Sequence, residues 1–270
     1  MISLVSLIDA LRAEGYSEAN AQARVCQDIV LRSIDKSNFS SHITVKGGVV
    51  MRGITRNSRR ATQDMDLDFI RYSLDDRAII RFIDSLNCLD GISIAISGNI
   101  EELSQQEYHG KRVYITITDT DGFTIRSKID LGVHARLELE QDTYCFDVCM
   151  DNLGASLLIN SKEQIFTEKL RSLLRFGAFS TRYKDVFDLC YLIDVVDTKR
   201  LLNHFETCIF SDQSMRENNM SDIVSRIGST FSNGSYFSRL RRSQSANWLN
   251  IPVDEAVKRI LAFLEKLQEE

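Results

Sequence analysis

Apolar residues change their spacing twice along the chain. Over the first 35 residues they recur at helical intervals. Leu4, Leu7, Ile8 and Leu11 share one face, Gly15 closes that segment, and Ser17 is placed to cap a second helix running to about residue 33. A period of two then dominates to about residue 160, predicting strands at 43–46, 64–70, 92–97, 112–118, 123–133, 143–150 and 155–159. A short helix at 49–54 follows the first strand, and a capping box at Ser73 and Asp76 opens a helix to about residue 86. Beyond Ser161 the period returns to 3.6: Ser161 and Gln164 form another capping box, for a helix to about residue 176, with further helices at 182–195 and 199–210. Residues 211–250 are polar, rich in Ser, Asn and Arg, and give weak signals, while Pro252 suits the first position of a last amphipathic helix. The layout predicts an α+β fold, with a mixed sheet in the N-terminal half and a helical C-terminal half. Two domains, 1–160 and 161–270, are expected to meet without a true linker and to share a cleft.

Composition narrows the setting. Apolar residues make up 43% and charged residues 26% of 270, enough for a sizeable core, and a single Pro with 13 Gly excludes linker-rich or collagen-like architecture. Lys and Arg total 33 against 38 Asp and Glu, a net charge of −5, so any nucleic acid must be gripped by a local basic surface rather than by bulk charge. The four His are scattered, and the six Cys include no C-x-x-C pair, which excludes a zinc site or a disulfide scaffold. No apolar run is long enough for a membrane helix, and the N-terminus reads as a helix start rather than a signal peptide. The expected location is a reducing cytoplasm.

The chemistry concentrates between residues 45 and 70. In the strand predicted at 64–70, Asp64, Asp66 and Asp68 alternate with Met65, Leu67 and Phe69. Carboxylates two residues apart on one strand face are separated by about 6.6–6.8 Å along the chain. At that distance they repel by roughly 0.6 kcal/mol in water and roughly 2.5 kcal/mol at an effective dielectric of 20. The apolar face anchors the strand, so the acids cannot all turn away, and a hard divalent cation with oxygen ligands, Mg²⁺ or Mn²⁺, would offset the repulsion. The bland alternative is an edge strand with one solvated face. Gly47 and Gly48, between a strand and a helix, offer backbone N–H groups to phosphate oxygens. Arg59, Arg60 and Thr62 lie between this pair and Asp64, a spacing that suits metal–triphosphate chemistry. In the strand at 123–133, Thr124, Arg126, Lys128 and Asp130 line one face, and Asp130 can join Asp64 and Asp66 if the two strands are neighbours; its alternative is an ion pair with Arg126 or Lys128.

Three further features carry less weight. Cys145 and Cys149 read as an ordinary strand pair, and His134 as a lone histidine just after the Asp130 strand. Arg239, Arg241 and Arg242, beside Tyr236 and Phe237, form a small basic patch that could meet nucleic-acid phosphates and bases, or could be a solvated charge run.

Lys46-Gly47-Gly48 followed by Arg60-x-Thr62-x-Asp64-x-Asp66, then Ile129-Asp130-Leu131, resembles nucleotidyltransferases of the DNA polymerase β type. More specifically, with Gln164-Ile-Phe-Thr-Glu-Lys169-Leu, Arg182-Tyr-Lys-Asp185-Val-Phe-Asp188-Leu and Trp248 before a final helix, it resembles the AbiEii family of bacterial toxins, which includes the MenA-type toxins. The likeness is best over residues 40–195. It departs at Gly48, where many relatives carry Ser, and at Asp68, an additional acid left outside the metal set. The resemblance implies a mixed-sheet nucleotidyltransferase core, a phosphate cradle at Gly47 and Gly48, and metal ligands at Asp64, Asp66 and Asp130. It implies a triphosphate-binding role for Lys169, with Asp185 completing the site; read from the residues alone, Lys169 and Asp185 form a helix–helix ion pair. It further implies a nucleoside triphosphate as substrate, an RNA acceptor such as a tRNA 3′ end, and a cognate antitoxin protein in a toxin–antitoxin or phage-defence pair. Two alternatives stay open, transfer to a small molecule such as an antibiotic and a non-catalytic protein that binds a partner on the same fold.

Overall fold

In the computed structural model, which describes residues 2–103, 110–134 and 136–269, Ser3 and Ser17 cap α1 (Leu4–Ala13) and α2 (Glu18–Lys36). Each serine hydroxyl accepts from a backbone N–H three residues on, satisfying one otherwise orphaned donor of its helix. The chain then runs through β1 (Ile43–Lys46), α3 (Gly47–Thr55), β2 (Met65–Phe69), α4 (Asp76–Ser85) and β3 (Ile92–Ile96). It continues through β4 (Glu101–Leu103), β5 (Gly110–Asp119), β6 (Thr124–Val133), β7 (Asp142–Val148) and β8 (Asp151–Ile159). The helices α5 (Lys162–Phe176), α6 (Tyr183–Leu192), α7 (Thr198–Phe205), α8 (Met220–Ser232), α9 (Gly234–Arg242) and α10 (Val253–Glu269) follow. This is the mixed α+β fold expected from the change of period. The chain divides into two compact units, Met1–Asn160 and Ser161–Glu270.

In the first unit the strands form one mixed sheet in the order β3-β5-β6-β2-β1-β8-β7, with β4 pairing with β5. The β2–β6 and β1–β8 pairs are parallel and the others antiparallel. The acidic strand β2 therefore lies between β6 and β1, which overturns its reading as an edge strand. Its odd-numbered residues explain this position: Met65, Leu67 and Phe69 are buried beside Ile129, Leu131 and Val45 of the flanking strands, each worth roughly 1.5–3 kcal/mol when fully buried. Helix α2 packs against β6, β7 and β8 through a face that includes Val25, Ile29 and Val30.

The second unit is helical, with α5 packed against α6, α7 and α8, and α10 against α6 and α8. Among the described residues no helix is long and apolar enough to cross a membrane.

Several elements differ from their sequence-based expectation. Helix α3 begins at Gly47, so both glycines form its first turn rather than precede it. The cap of α4 is Asp75, whose carboxylate accepts from the Ala78 N–H at 2.8 Å, while Ser73 donates to the Asp75 side chain. The helix expected at 199–210 ends as a π-helical turn, Glu206–Phe210. The weakly patterned stretch 211–250 holds α8 and α9, whose buried stripes are narrow: only Ile223, Ile227, Thr230 and Phe231 in α8, and Tyr236 and Leu240 in α9. So few apolar residues per turn leave little period to read. Strand β4 is too short to carry one.

Candidate active site

Strand register draws the charged residues of the first unit into a row across the sheet. Lys46 of β1 stands opposite Asp66 of β2, Asp66 beside Asp130 of β6, and Asp130 opposite Arg112 of β5. Residues paired in register point to one face, so the row reads cation, acid, acid, cation. Arg112 grips Asp130 with two hydrogen bonds, Nε to Oδ1 at 2.7 Å and Nη2 to Oδ2 at 2.8 Å. Lys46 pairs with Asp68 at 2.7 Å, and Lys128 with Asp64 at 2.9 Å. The expected alternative partner of Asp130, Arg126 or Lys128, is thus replaced by Arg112, a residue the sequence reading left aside. Only the pairing of β5 with β6 reveals it.

Asp66 is the one acid of the four without an ion-pair partner among the described residues. Desolvation pushes its carboxyl up to about 6, with Lys46 opposing and the charges of Asp130, Asp64 and Asp68 adding to the rise. Four carboxylates meet three cations here, an arrangement short of one positive charge. Among the described residues no group of three or more His, Cys, Asp or Glu side chains is gathered tightly enough to hold a metal ion as it stands. By donor chemistry Asp64 and Asp66 fit a hard divalent cation, since they supply carboxylate oxygens and the Lys46 charge only partly offsets the rise of the Asp66 carboxyl. Asp130 is adjacent in register, but both of its oxygens are engaged by Arg112.

The glycine pair sits against this cluster. Gly47 has φ +65°, and a Cβ there would lie 2.5 Å from Asp66 Oδ2. At Gly48 a Cβ would lie 2.6 Å from Thr62 Oγ1. Any side chain at either position would displace a candidate site residue. The N-cap of α3, Lys46, makes no side-chain cap hydrogen bond, so no side chain at that position covers the first-turn N–H groups. Arg60 is buried in the short 3-10 turn Ser58–Arg60, and Thr62 is half-buried between that turn and β2.

Two residues of α2 escaped the sequence reading. Gln27, fully buried, donates through Nε2 to the carbonyls of Thr62 at 2.9 Å and Asp64 at 3.4 Å. Asp28, also fully buried, accepts from Arg52 of α3 at 2.8 Å, and from the Cys149 N–H at 3.1 Å. One turn of α2 thereby fixes the loop leading to Asp64 and the helix α3 that the glycines open. The available signal was a Gln-Asp pair inside the run Val25-Cys-Gln-Asp-Ile-Val-Leu31, polar residues where the pattern is otherwise apolar.

In the second unit, Lys169 of α5 is shared by two acids of α6, with Nζ 2.6 Å from Asp185 Oδ1 and 2.7 Å from Asp188 Oδ2. Asp188 is fully buried and its other oxygen accepts from Trp248 Nε1 at 2.9 Å. Asp188 stands three residues after Asp185, hence on the same helical face, and that spacing is the sequence signal for it. Of the remaining candidates, His134 is buried with Nε2 3.2 Å from Gln141 Nε2. Cys145 and Cys149 are free thiols, and burial first, then the Asp28 charge, holds the Cys149 thiol protonated. The basic patch does not act as one surface: Tyr236 is buried, Arg241 pairs with Asp254 at 2.7 Å, and Arg239 donates to Tyr183 Oη and to the Ala178 carbonyl.

The chain matches a known protein family. Residues 29–222 fit the family described as "Nucleotidyl transferase AbiEii toxin, Type IV TA system". That span contains the glycine pair, Asp64, Asp66, Asp68 and Asp130, and the Lys169–Asp185–Asp188 group. No curated protein matches the chain.

Proposed function

Because the chain belongs to the AbiEii family of nucleotidyltransferase toxins of type IV toxin–antitoxin systems, we propose that it transfers a nucleotide from a nucleoside triphosphate to an RNA hydroxyl, that of a tRNA 3′ end, in the cytoplasm. The observation that carries this reading is the row Lys46–Asp66–Asp130–Arg112, which stacks two carboxylates side by side next to the glycine pair. Asp64, Asp66 and Asp130 would hold Mg²⁺ or Mn²⁺, which supplies Lewis-acid stabilisation of the triphosphate's charge when bound. Gly47 and Gly48 present the N-terminal amides of α3 to phosphate oxygens, with Arg60 and Thr62 beside them. Lys169 neutralises triphosphate charge, and Asp185 orients its ammonium. The acceptor oxygen attacks the α-phosphorus in line. One P–O bond forms as the bond to the β-phosphate bridge breaks, pyrophosphate departs, and the hydroxyl proton passes to a carboxylate of the cluster. In its family setting the protein acts against its own host or in phage defence, and an antitoxin encoded beside it restores growth.

Incubating the purified protein with each α-labelled nucleoside triphosphate, Mg²⁺ and total RNA tests the proposal. Label entering a small RNA, with pyrophosphate released in equal amount, is the expected result. Label entering a small molecule but no RNA overturns the acceptor assignment, and absence of any transfer overturns the activity.

A further inference from the structure

One surface of the helical unit combines exposed aromatic rings with unpaired cations. Phe179, 88% exposed, is the most exposed large apolar side chain among the described residues, and Phe176 nearby is 51% exposed. Phe176 ends α5, and Phe179 ends the short 3-10 turn Gly177–Phe179 that follows it. Two separate helices bring arginines to the end of α5 and this turn. Arg226 of α8 donates through Nε to the Leu174 carbonyl at 3.3 Å, and Arg239 of α9 donates through Nη2 to the Ala178 carbonyl at 2.6 Å. Arg239 also donates to Tyr183 Oη at 3.0 Å. All of these acceptors are neutral. Among the described residues none of Arg182, Arg226 and Arg239 has a carboxylate within ion-pair distance, so their charge is not cancelled locally.

Arg182, exposed and three residues after Phe179, adds a third guanidinium beside the turn in a chain of net charge −5. An exposed ring that the fold does not bury, rimmed by guanidinium groups, suits a polyanion that also offers flat apolar faces. Unpaired nucleotides fit that description: their phosphates meet the arginines and their bases stack on phenylalanine. An acidic protein segment would satisfy the charges but has less use for two rings standing in solvent.

We propose that the turn at residues 176–179, with Arg182, Arg226 and Arg239 around it, is the dock for an unpaired stretch of the acceptor RNA. The inference rests on the reading of RNA as acceptor, and goes beyond it by placing the contact on the helical unit, away from the Arg241–Asp254 pair.

The test uses the full chain and a short, unstructured, fluorescein-labelled oligoribonucleotide, with binding followed by anisotropy. Phe179→Ala removes only exposed surface and should weaken binding roughly fivefold to a hundredfold, the range of one lost base stack. Arg182→Ala should reduce the salt dependence of log K by about 0.7, the value of one phosphate contact to a single strand. Affinity for nucleoside triphosphate should be unchanged in both variants. Unaltered oligonucleotide affinity and salt slope in both variants overturn the proposal, as does a Phe179→Ala variant that modifies RNA at the wild-type rate under limiting RNA. Phe179→Ala that keeps RNA affinity but loses binding to the purified neighbouring-gene protein overturns it too, and makes the surface a protein dock. If wild type binds the oligonucleotide through these residues yet transfers nothing to RNA, the dock stands and the acceptor reading falls.

Discussion

Ionising Asp66 costs the metal-free protein free energy, because desolvation and three neighbouring carboxylates oppose its charge more than Lys46 supports it. The sign follows from the two states. The unfolded carboxyl releases its proton near its ordinary value of 3.8, whereas the folded one holds it to about pH 6. Between those values the folded state binds more protons, so this group's contribution to stability falls as pH rises through 6 and is flat above. That rise from 3.8 to about 6 corresponds to roughly 3 kcal/mol. Asp66→Asn should therefore be more stable than wild type in urea melts with EDTA at pH 8, the gap closing near pH 4, while nucleotide transfer drops at least about a hundredfold. Equal stability of the two proteins at pH 8 contradicts this account. Arg112 provides a second residue-scale test. Arg112→Ala leaves Asp130 nearly buried without its two hydrogen bonds, a loss of roughly 2 kcal/mol without metal. If Asp130 is a metal ligand, Mg²⁺ should raise the melting temperature of this variant by more than it raises that of wild type. An identical shift would remove Asp130 from the ligand set.

Helix α2 does at the scale of elements what no single site residue does. Its consecutive Gln27 and Asp28 reach the loop before β2, the helix α3 and the β7–β8 turn at Cys149. The three segments have little periodic pattern to hold them, so their positions depend on these buried polar bonds. Asp28→Ala leaves Arg52, itself buried, without its carboxylate, and should cost about 3–5 kcal/mol in denaturant melts. Arg52→Met, which removes the cation as well as the bond, should cost less when combined with Asp28→Leu than the single Asp28→Ala does. A loss below about 1 kcal/mol in the single variant would show that α3 is held by its apolar face alone, through Val49, Val50 and Met51.

At the scale of the whole molecule, family membership predicts a phenotype. Induced expression in a bacterial host should arrest growth, measured by optical density and viable counts. Co-expression of the protein encoded beside it should restore growth. Asp66→Ala should be harmless, and Lys169→Ala should be harmless or weakly toxic, with triphosphate affinity reduced on the order of tenfold or more, the effect of a lost charged hydrogen bond. Arrest that persists in Asp66→Ala would separate toxicity from nucleotide transfer.

Much of the fold was legible because its strongest segments are one-sidedly apolar. The alternation around Asp64–Asp66–Asp68, the Ser161 cap and the apolar faces of α1, α2 and α5 fix element type from local pattern alone, and the spacing of glycines, acids and Lys169 led to the family. Helices α8 and α9 were not legible, since two to four buried residues in each leave no period above the polar background. Nor could local pattern show what stands across the sheet. That β2 is central, that Arg112 rather than Arg126 or Lys128 meets Asp130, and that Lys128 meets Asp64 follow from strand order and register, which are set by contacts between residues far apart in the chain. The sequence determined which side chains are the main candidates for the chemistry, because residue type and spacing are local properties. Only the tertiary structure decided their charge partners, because electrostatic energy depends on distance through space and a one-residue change of register would send every one of those side chains to the other face.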